Sequence, residues 1–233
     1  MRGVLLLLVV AALGAGGLAL REDDHEVAWS GSWVATAKVG EVAVYPSRGA
    51  AEPTSHLKSP TTSGAALVFL VDGRKVRGQW LPVHLPVRPN GSTGWIRAAD
   101  VRLVPNDYRL TVDLGERTLA FERRGEVEWS TPIGVGKRAM PTPRGRYYVK
   151  ELLMPSDADD EELYGPFALG LSGYTDSPGA VDFRGGDGAL AIHGTNDPSS
   201  IGRRVSHGCI RVPNDVISFL ASTLPMGTPV DIT

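Results

Sequence analysis

Ile192-His193-Gly194-Thr195-Asn196 is followed, twelve residues past His193, by Val205-Ser206-His207-Gly208-Cys209-Ile210-Arg211-Val212. Cys209 is the only cysteine among 233 residues, so no disulfide within the chain can use it. A lone cysteine is by default a small buried hydrophobe, and a lone histidine is by default structural. Here two histidines, the cysteine and three glycines fall within seventeen residues, 193–209, which favours chemistry. A thiol attacks as its thiolate, yet free cysteine has a pKa of about 8.5 and is mostly un-ionised at neutral pH. An imidazole within hydrogen-bond reach can take the proton and leave a nucleophile. Gly208 lets backbone N–H groups approach a reacting carbonyl, as an oxyanion hole requires. The pattern points to acyl transfer through a thioester. A zinc site built from His193, His207 and Cys209 is the chemical rival. It lacks a Cys-x-x-Cys pair, and His-x-Cys is an unusual zinc spacing.

These residues resemble the L,D-transpeptidase (YkuD) family. Its signature is a His-Gly pair, a short spacer, then Ser/Thr-His-Gly-Cys, a hydrophobic residue and Arg or Asn. Every element is present, and the resemblance extends over about residues 107 to 233. Ile133-Gly134-Val135-Gly136 and Thr142-Pro143-Arg144-Gly145 look like earlier landmarks of the same domain. The resemblance implies Cys209 as nucleophile and His193 as proton acceptor and donor. It implies that the Gly194 carbonyl orients the imidazole and that amides around His207, Gly208 and Cys209 form the oxyanion hole. His207 reads as support for the loop, with tuning of the Cys209 thiolate as its alternative role. Ser206 and Arg211 read as loop geometry, and Arg211 also as a partner for a substrate carboxylate. Thr195 and Asn196 are turn residues by default. Tyr164, Phe167 and Tyr174 are candidate walls of a lid over the cysteine. Tyr164, Tyr174, Asn196, Ser206 and Arg211 are the substrate-binding candidates.

What the resemblance implies is an enzyme that remodels peptidoglycan. The donor is a stem tetrapeptide, attacked between its third residue, a diamino acid, and the terminal D-Ala. The side-chain amine of a second stem then gives a 3→3 crosslink. No metal or organic cofactor is implied, and acylation by carbapenems is. With water as acceptor the same site is a carboxypeptidase; with a protein amine it attaches proteins to the wall. A non-catalytic wall-binding module is opposed by the intact Cys/His pair. A papain-like peptidase is opposed by chain order, since His193 precedes Cys209.

The N-terminal residues bear on compartment. Arg2 precedes an uncharged run from Gly3 to Leu20, and Arg21-Glu22-Asp23-Asp24-His25-Glu26 follows, acidic on balance. That charge order is expected of an export signal, either a cleaved signal peptide or a signal anchor over residues 1–26. A membrane contact is expected only through this segment if it stays uncleaved. An unpaired cysteine in an oxidising exterior needs a reason to be kept free, and a catalytic thiol supplies one.

The remainder reads as mainly β, in two parts. Residues 27–105 hold short strand candidates at Val39–Val44, Ala66–Val71, Gln79–Leu85 and Gly94–Ile96, with turn signals at Asp72-Gly73 and Asn90-Gly91. Trp80-Leu81-Pro82-Val83-His84, then Gly94-Trp95-Ile96 and Val101, resembles a bacterial SH3-like barrel. A boundary is expected at Pro105-Asn106. The first part carries nine Lys/Arg against four Asp/Glu, net plus five; residues 106–233 carry thirteen against eighteen, net minus five. A basic first part could favour anionic wall polymers, against the plain reading of a solvated surface. Nothing suggests nucleic-acid binding.

In residues 106–233 strands are expected at Arg109–Leu114, Thr118–Glu122, Val127–Pro132, Arg146–Lys150 and Thr228–Ile232. Asn214 is expected to cap a short helix whose Val216, Ile217 and Leu220 share one face. Leu152 to Asp187, rich in Gly, Pro and Asp, reads as a long connection that is either disordered or functional. The acidic run Asp157 to Glu162 reads most simply as a solvated loop.

Overall fold

The computed structural model describes residues 31–73, 78–155, 161, 163–175, 177 and 187–233. The export-signal expectation for residues 1–26, and the acidic run apart from Glu161, lie outside the described residues. Among the described residues no helix is long and apolar enough to cross a membrane.

The chain is mainly β, as expected. In the first unit, β1 (Ser32–Ala37) is the middle strand of a three-stranded sheet, antiparallel to β4 (Val68–Leu70) and β7 (Val101–Asn106). β2 (Glu41–Val44) pairs with β3 (Ser55–Lys58), and β5 (Trp80–His84) with β6 (Thr93–Arg97). Bridges Tyr45–Trp95 and Val71–Val83 join these ribbons to each other and to the sheet. Period-two alternation sends Val42, Val44, Leu81, Val83 and Ile96 into one core with Phe69 and Val101. β3 is mostly exposed and carries no apolar pattern, so only its backbone pairing with β2 marks it as a strand.

The second unit is an eight-stranded sheet. Its order is β10 (Glu126–Pro132), β9 (Thr118–Arg123), β8 (Tyr108–Asp113), β17 (Pro229–Ile232), β12 (Gly145–Leu153), β13 (Ala168–Tyr174), β14 (Ala189–His193) and β16 (Ile210–Arg211). The β8–β17 and β14–β16 pairs are parallel and the rest antiparallel. β11 (Val135–Gly136) runs parallel to β15 (Arg204–Ser206). The helix α1 (Asn214–Thr223) buries Ile217 and Leu220 in the core of this unit, with Val216 packed beside them. The shared apolar face is as expected, but the cap is not. Pro213 occupies the cap position without a side-chain hydrogen bond, and Asn214 turns to another partner.

The expected long connection is corrected. Leu152 to Asp187 is not one long connection, because it contains β13, whose residues from Ala168 to Gly173 are all buried. Gly170 and Gly173 made it read as loop. They are small because Glu151 and the Tyr147 ring pack directly over them. At the expected boundary the chain is still paired as a strand. Pro105 and Asn106 still belong to β7, opposite Trp33 and Ser32, and Asn106 Nδ2 donates to Ser32 Oγ at 3.2 Å and Tyr108 O at 3.1 Å. The chain therefore passes from one unit to the next at Asp107 with no linker between strands.

A third apolar cluster joins the units. Val34, Val68 and Leu70 of the first pack against Tyr148 and Met226 of the second. Tyr148 is fully buried and its hydroxyl donates to Val68 O at 3.0 Å. Gly227 closes this seam at φ +89°, where a Cβ would collide with the Val34 side chain. Gly227→Ala should therefore destabilise the full chain by about 2 to 4 kcal/mol, combining left-handed backbone cost with overpacking. Chemical denaturation measures this; an unchanged midpoint would contradict the seam.

Candidate active site

β14 builds one side of the site by alternation. Leu190 and Ile192 reach the core, while Ala189, Ala191 and His193 line a cavity of about 470 Å³, to which Leu190 also contributes. On β13, Ala168 and Gly170 line the same cavity, so small residues floor it. Cys209, just before β16, also lines it; the thiol is partly buried, with Sγ 4.0 Å from Ala189 O.

His193 is 3% exposed, and its Nδ1 lies 2.7 Å from Gly194 O. A carbonyl only accepts, so Nδ1 carries the hydrogen and Nε2 keeps the lone pair that can take a proton. The Tyr164 ring meets the imidazole edge to face, with centroids 5.1 Å apart. Gly194 is wedged against the Asn214 side chain and Ile217, and Asn214 Oδ1 accepts from Thr195 N at 2.8 Å. Asn214 thus braces the turn after His193 instead of capping its own helix. Burial pushes the His193 pKa down to about 4, with Gly194 O opposing and Arg211 adding to the fall. Burial pushes the Cys209 thiol above its usual range, partly offset by the Ala191 backbone and Arg211. At neutral pH both shifts favour the uncharged groups, so that any attack by the sulfur would require the thiol proton to leave with it.

The cysteine loop is braced from inside. Ser206 Oγ donates to Cys209 O at 2.6 Å and accepts from Gly208 N at 3.1 Å. Gly208 sits at φ +129°, a conformation that favours glycine. Thr142 Oγ1 donates to Gly208 O at 2.8 Å and accepts from Gly136 N at 2.9 Å, all of it buried. Lys137 donates its backbone N–H to Ser206 O at 3.0 Å and sets its ammonium 3.4 Å from His207 Nε2. His207 has a lowered pKa, first through burial and then through Lys137 and Arg211.

Of the residues singled out from sequence, Cys209, His193, His207, Ser206, Arg211, Tyr164 and Phe167 line the one cavity. Arg211 Nε is buried and has no hydrogen-bond partner among the described residues. Two substrate-binding candidates lie outside this cavity. The Tyr174 ring turns towards the first unit, where its hydroxyl donates to Pro86 O at 2.9 Å, and Asn196 is an exposed turn residue; neither lines the cavity. The oxyanion expectation narrows too, since the Gly208 N–H already donates to Ser206. Among the described residues no group of three or more His, Cys, Asp or Glu is placed to hold a metal ion. Sequence reading missed Thr142 as a loop brace, although it quoted Thr142-Pro143-Arg144-Gly145. It also missed Thr175 and Glu151 as wall residues, which carry no local motif.

Thr142→Val, a near-isosteric change, should leave Gly208 O and Gly136 N buried and unpaired, at about 1–3 kcal/mol for each. We expect a clear loss of stability in denaturant and slower modification of Cys209 by an acylating reagent. Unchanged stability and reactivity would remove Thr142 from the site.

Comparison with known proteins gives the family. Residues 107–232 match the L,D-transpeptidase catalytic domain family, YkuD. The YkuD protein of Bacillus licheniformis is 33% identical over 156 residues, 64% of this chain and 84% of that protein. YkuD of Bacillus subtilis is 34% identical over 125 residues, 54% of this chain and 65% of that protein. Among solved structures, Bdellovibrio bacteriovorus Bd1075 is 31% identical with a TM-score of 0.41. A crystallised Enterococcus faecium L,D-transpeptidase is 25% identical, also with a TM-score of 0.41. The likeness covers 55% of this chain in both cases, and 48% and 50% of those chains. With the family match spanning more than half its length and including the whole cysteine site, the chain belongs to the L,D-transpeptidase (YkuD) catalytic domain family.

Proposed function

We propose that this protein is a peptidoglycan L,D-transpeptidase in which Cys209 is the nucleophile and His193 its proton acceptor and donor. The observation that carries this reading is a buried imidazole, fixed through Nδ1 by Gly194 O, lining one cavity with the sole cysteine.

The neutral pair dictates the proton route. Sγ attacks the carbonyl carbon of the third stem residue, a diamino acid, as His193 Nε2 takes the thiol proton. Negative charge develops on the former carbonyl oxygen, for which the amides of His207 and Cys209 are the nearby donors. Collapse breaks the amide bond, and His193 returns its proton to the departing amine of D-Ala. A thioester on Cys209 remains. An acceptor amine from a second stem then attacks, losing a proton to His193, which passes it to the leaving sulfur. The product is a 3→3 crosslink and every proton is accounted for without a cofactor. Arg211, with its buried Nε directed at no described partner, supplies positive charge to a carboxylate of the donor. We place the reaction in the extracytoplasmic envelope, on the charge order of residues 1–26, with the basic first unit favouring anionic wall polymers.

Intact-mass analysis of the full chain with a disaccharide tetrapeptide tests this. Wild-type protein should carry an adduct equal to the donor less D-Ala, and Cys209→Ala should carry none. Crosslinked dimers among the products support the acceptor assigned here, whereas tripeptide alone would make the protein a carboxypeptidase. An equal adduct on Cys209→Ala would overturn the nucleophile.

A further inference from the structure

Thr175, Asp187, Gly188 and Ala189 form a stretch of the cavity wall near Cys209. Their mutual ties are short: Thr175 N donates to Gly188 O at 2.8 Å, and Ala189 N to Asp187 Oδ1 at 2.9 Å. Thr175 also borders the cysteine loop, since a Cβ on Gly208 would lie 3.4 Å from the Thr175 Cβ. Thr175 therefore sits where the cavity wall meets the cysteine loop, which Thr142 and Ser206 hold independently.

The first unit reaches across to hold this stretch. Asn90 Nδ2 donates to Tyr174 O at 2.7 Å, and Tyr174 N donates to Asn90 Oδ1 at 2.9 Å. The side-chain amide of Asn90 thus takes the place of a neighbouring strand at the end of β13. The Arg88 guanidinium lies 4.4 Å from the centroid of the Tyr174 ring. Its Nη2 donates to Asp187 O at 2.7 Å and to Thr175 O at 3.3 Å. One cation therefore joins the two strand-end segments that carry the wall, and a planar, five-donor group suits both the stacking and the paired acceptors. Tyr174 closes the arrangement by donating to Pro86 O.

We propose that the Pro86–Asn90 turn is a positioning part of the active site: Arg88 and Asn90 hold Thr175 and Asp187 in place from behind, so that the first unit shapes the donor site. Neither residue lines the cavity, so both act through the wall. This deepens the acyl-transfer reading and depends on it only for the kinetic part of the test. It also gives the first unit a role that attachment to a polymer would not require.

Arg88→Ala, Arg88→Lys and Asn90→Ala in the full chain provide the test. Arg97→Ala serves as control: Arg97 lies over Trp80 in the same unit, away from this contact. Hydrogen exchange followed by mass spectrometry comes first. Arg88→Ala and Asn90→Ala should speed exchange in residues 187–193 and 168–175, leaving 108–123 as in wild type. With a tetrapeptide donor, KM should rise about 10- to 100-fold while kcat changes little, because wall placement is lost and the Cys209–His193 pair is not. Arg88→Lys should recover part of the loss, and Arg97→Ala should match wild type. Uniformly faster exchange with unchanged KM would reduce Arg88 to a stability role and overturn the proposal. So would local exchange and KM that stay at wild-type values in Arg88→Ala and Asn90→Ala. A wild type without turnover would sink the transpeptidase reading alone, because the exchange measurement does not need activity.

Discussion

A buried imidazole bonded through Nδ1 to the carbonyl of the next residue is the constraint around which the rest of the structure is arranged. For Gly194 O to turn back onto the His193 ring at 2.7 Å, the following turn must be held tightly. Asn214 does so by accepting from Thr195 N, and α1 has to lie close enough for Ile217 to pack on Gly194. A side chain on Gly194 would push the helix away. The missing cap of α1, the absent Cβ at residue 194 and the tautomer of His193 are thus one requirement seen three times.

The same economy shapes the cavity. A buried sheet normally fills both faces with large side chains. Here β13 and β14 present Ala168, Gly170, Ala189 and Ala191 to the site and keep Leu169, Leu171 and Ile192 for the core. Volume left out on one face becomes room for substrate. Burial also sets the electrostatics, lowering the basicity of His193 and raising the thiol of Cys209, so the resting site avoids an ion pair in a poorly solvated place.

Much of this was legible in the sequence because the chemistry is local. His193-Gly194 and Ser206-His207-Gly208-Cys209 carry the proposed nucleophile and base, together with the orienting carbonyl and the loop brace, within seventeen residues. Strands with clean alternation, such as β5 and β8, were equally plain. β13 was hidden because glycine reads as a breaker, while its real reason for being there, room for Glu151 and Tyr147, lies on β12. Tyr174 looked like a substrate residue, yet its hydroxyl, backbone and ring are all engaged by residues of the first unit. Asn90-Gly91 read correctly as a turn signal and said nothing of the side chain's role more than 80 residues further along the chain. Contacts of that separation have no periodicity and no spacing to betray them.

The central claim is that His193 is a neutral base with its hydrogen on Nδ1. Nitrogen-15 NMR of the imidazole rings in the full chain, assigned by difference from His193→Gln, measures this directly. A pKa lowered from about 6.5 to about 4 means that the neutral form persists as pH falls through 6.5 and is lost only near 4. The folded state then binds fewer protons than the unfolded one in that window, and stability should decline as pH drops from about 6.5 towards 4. We expect an Nδ1–H ring titrating near pH 4. A midpoint near 6.5, or a ring protonated at Nε2 at neutral pH, would contradict it.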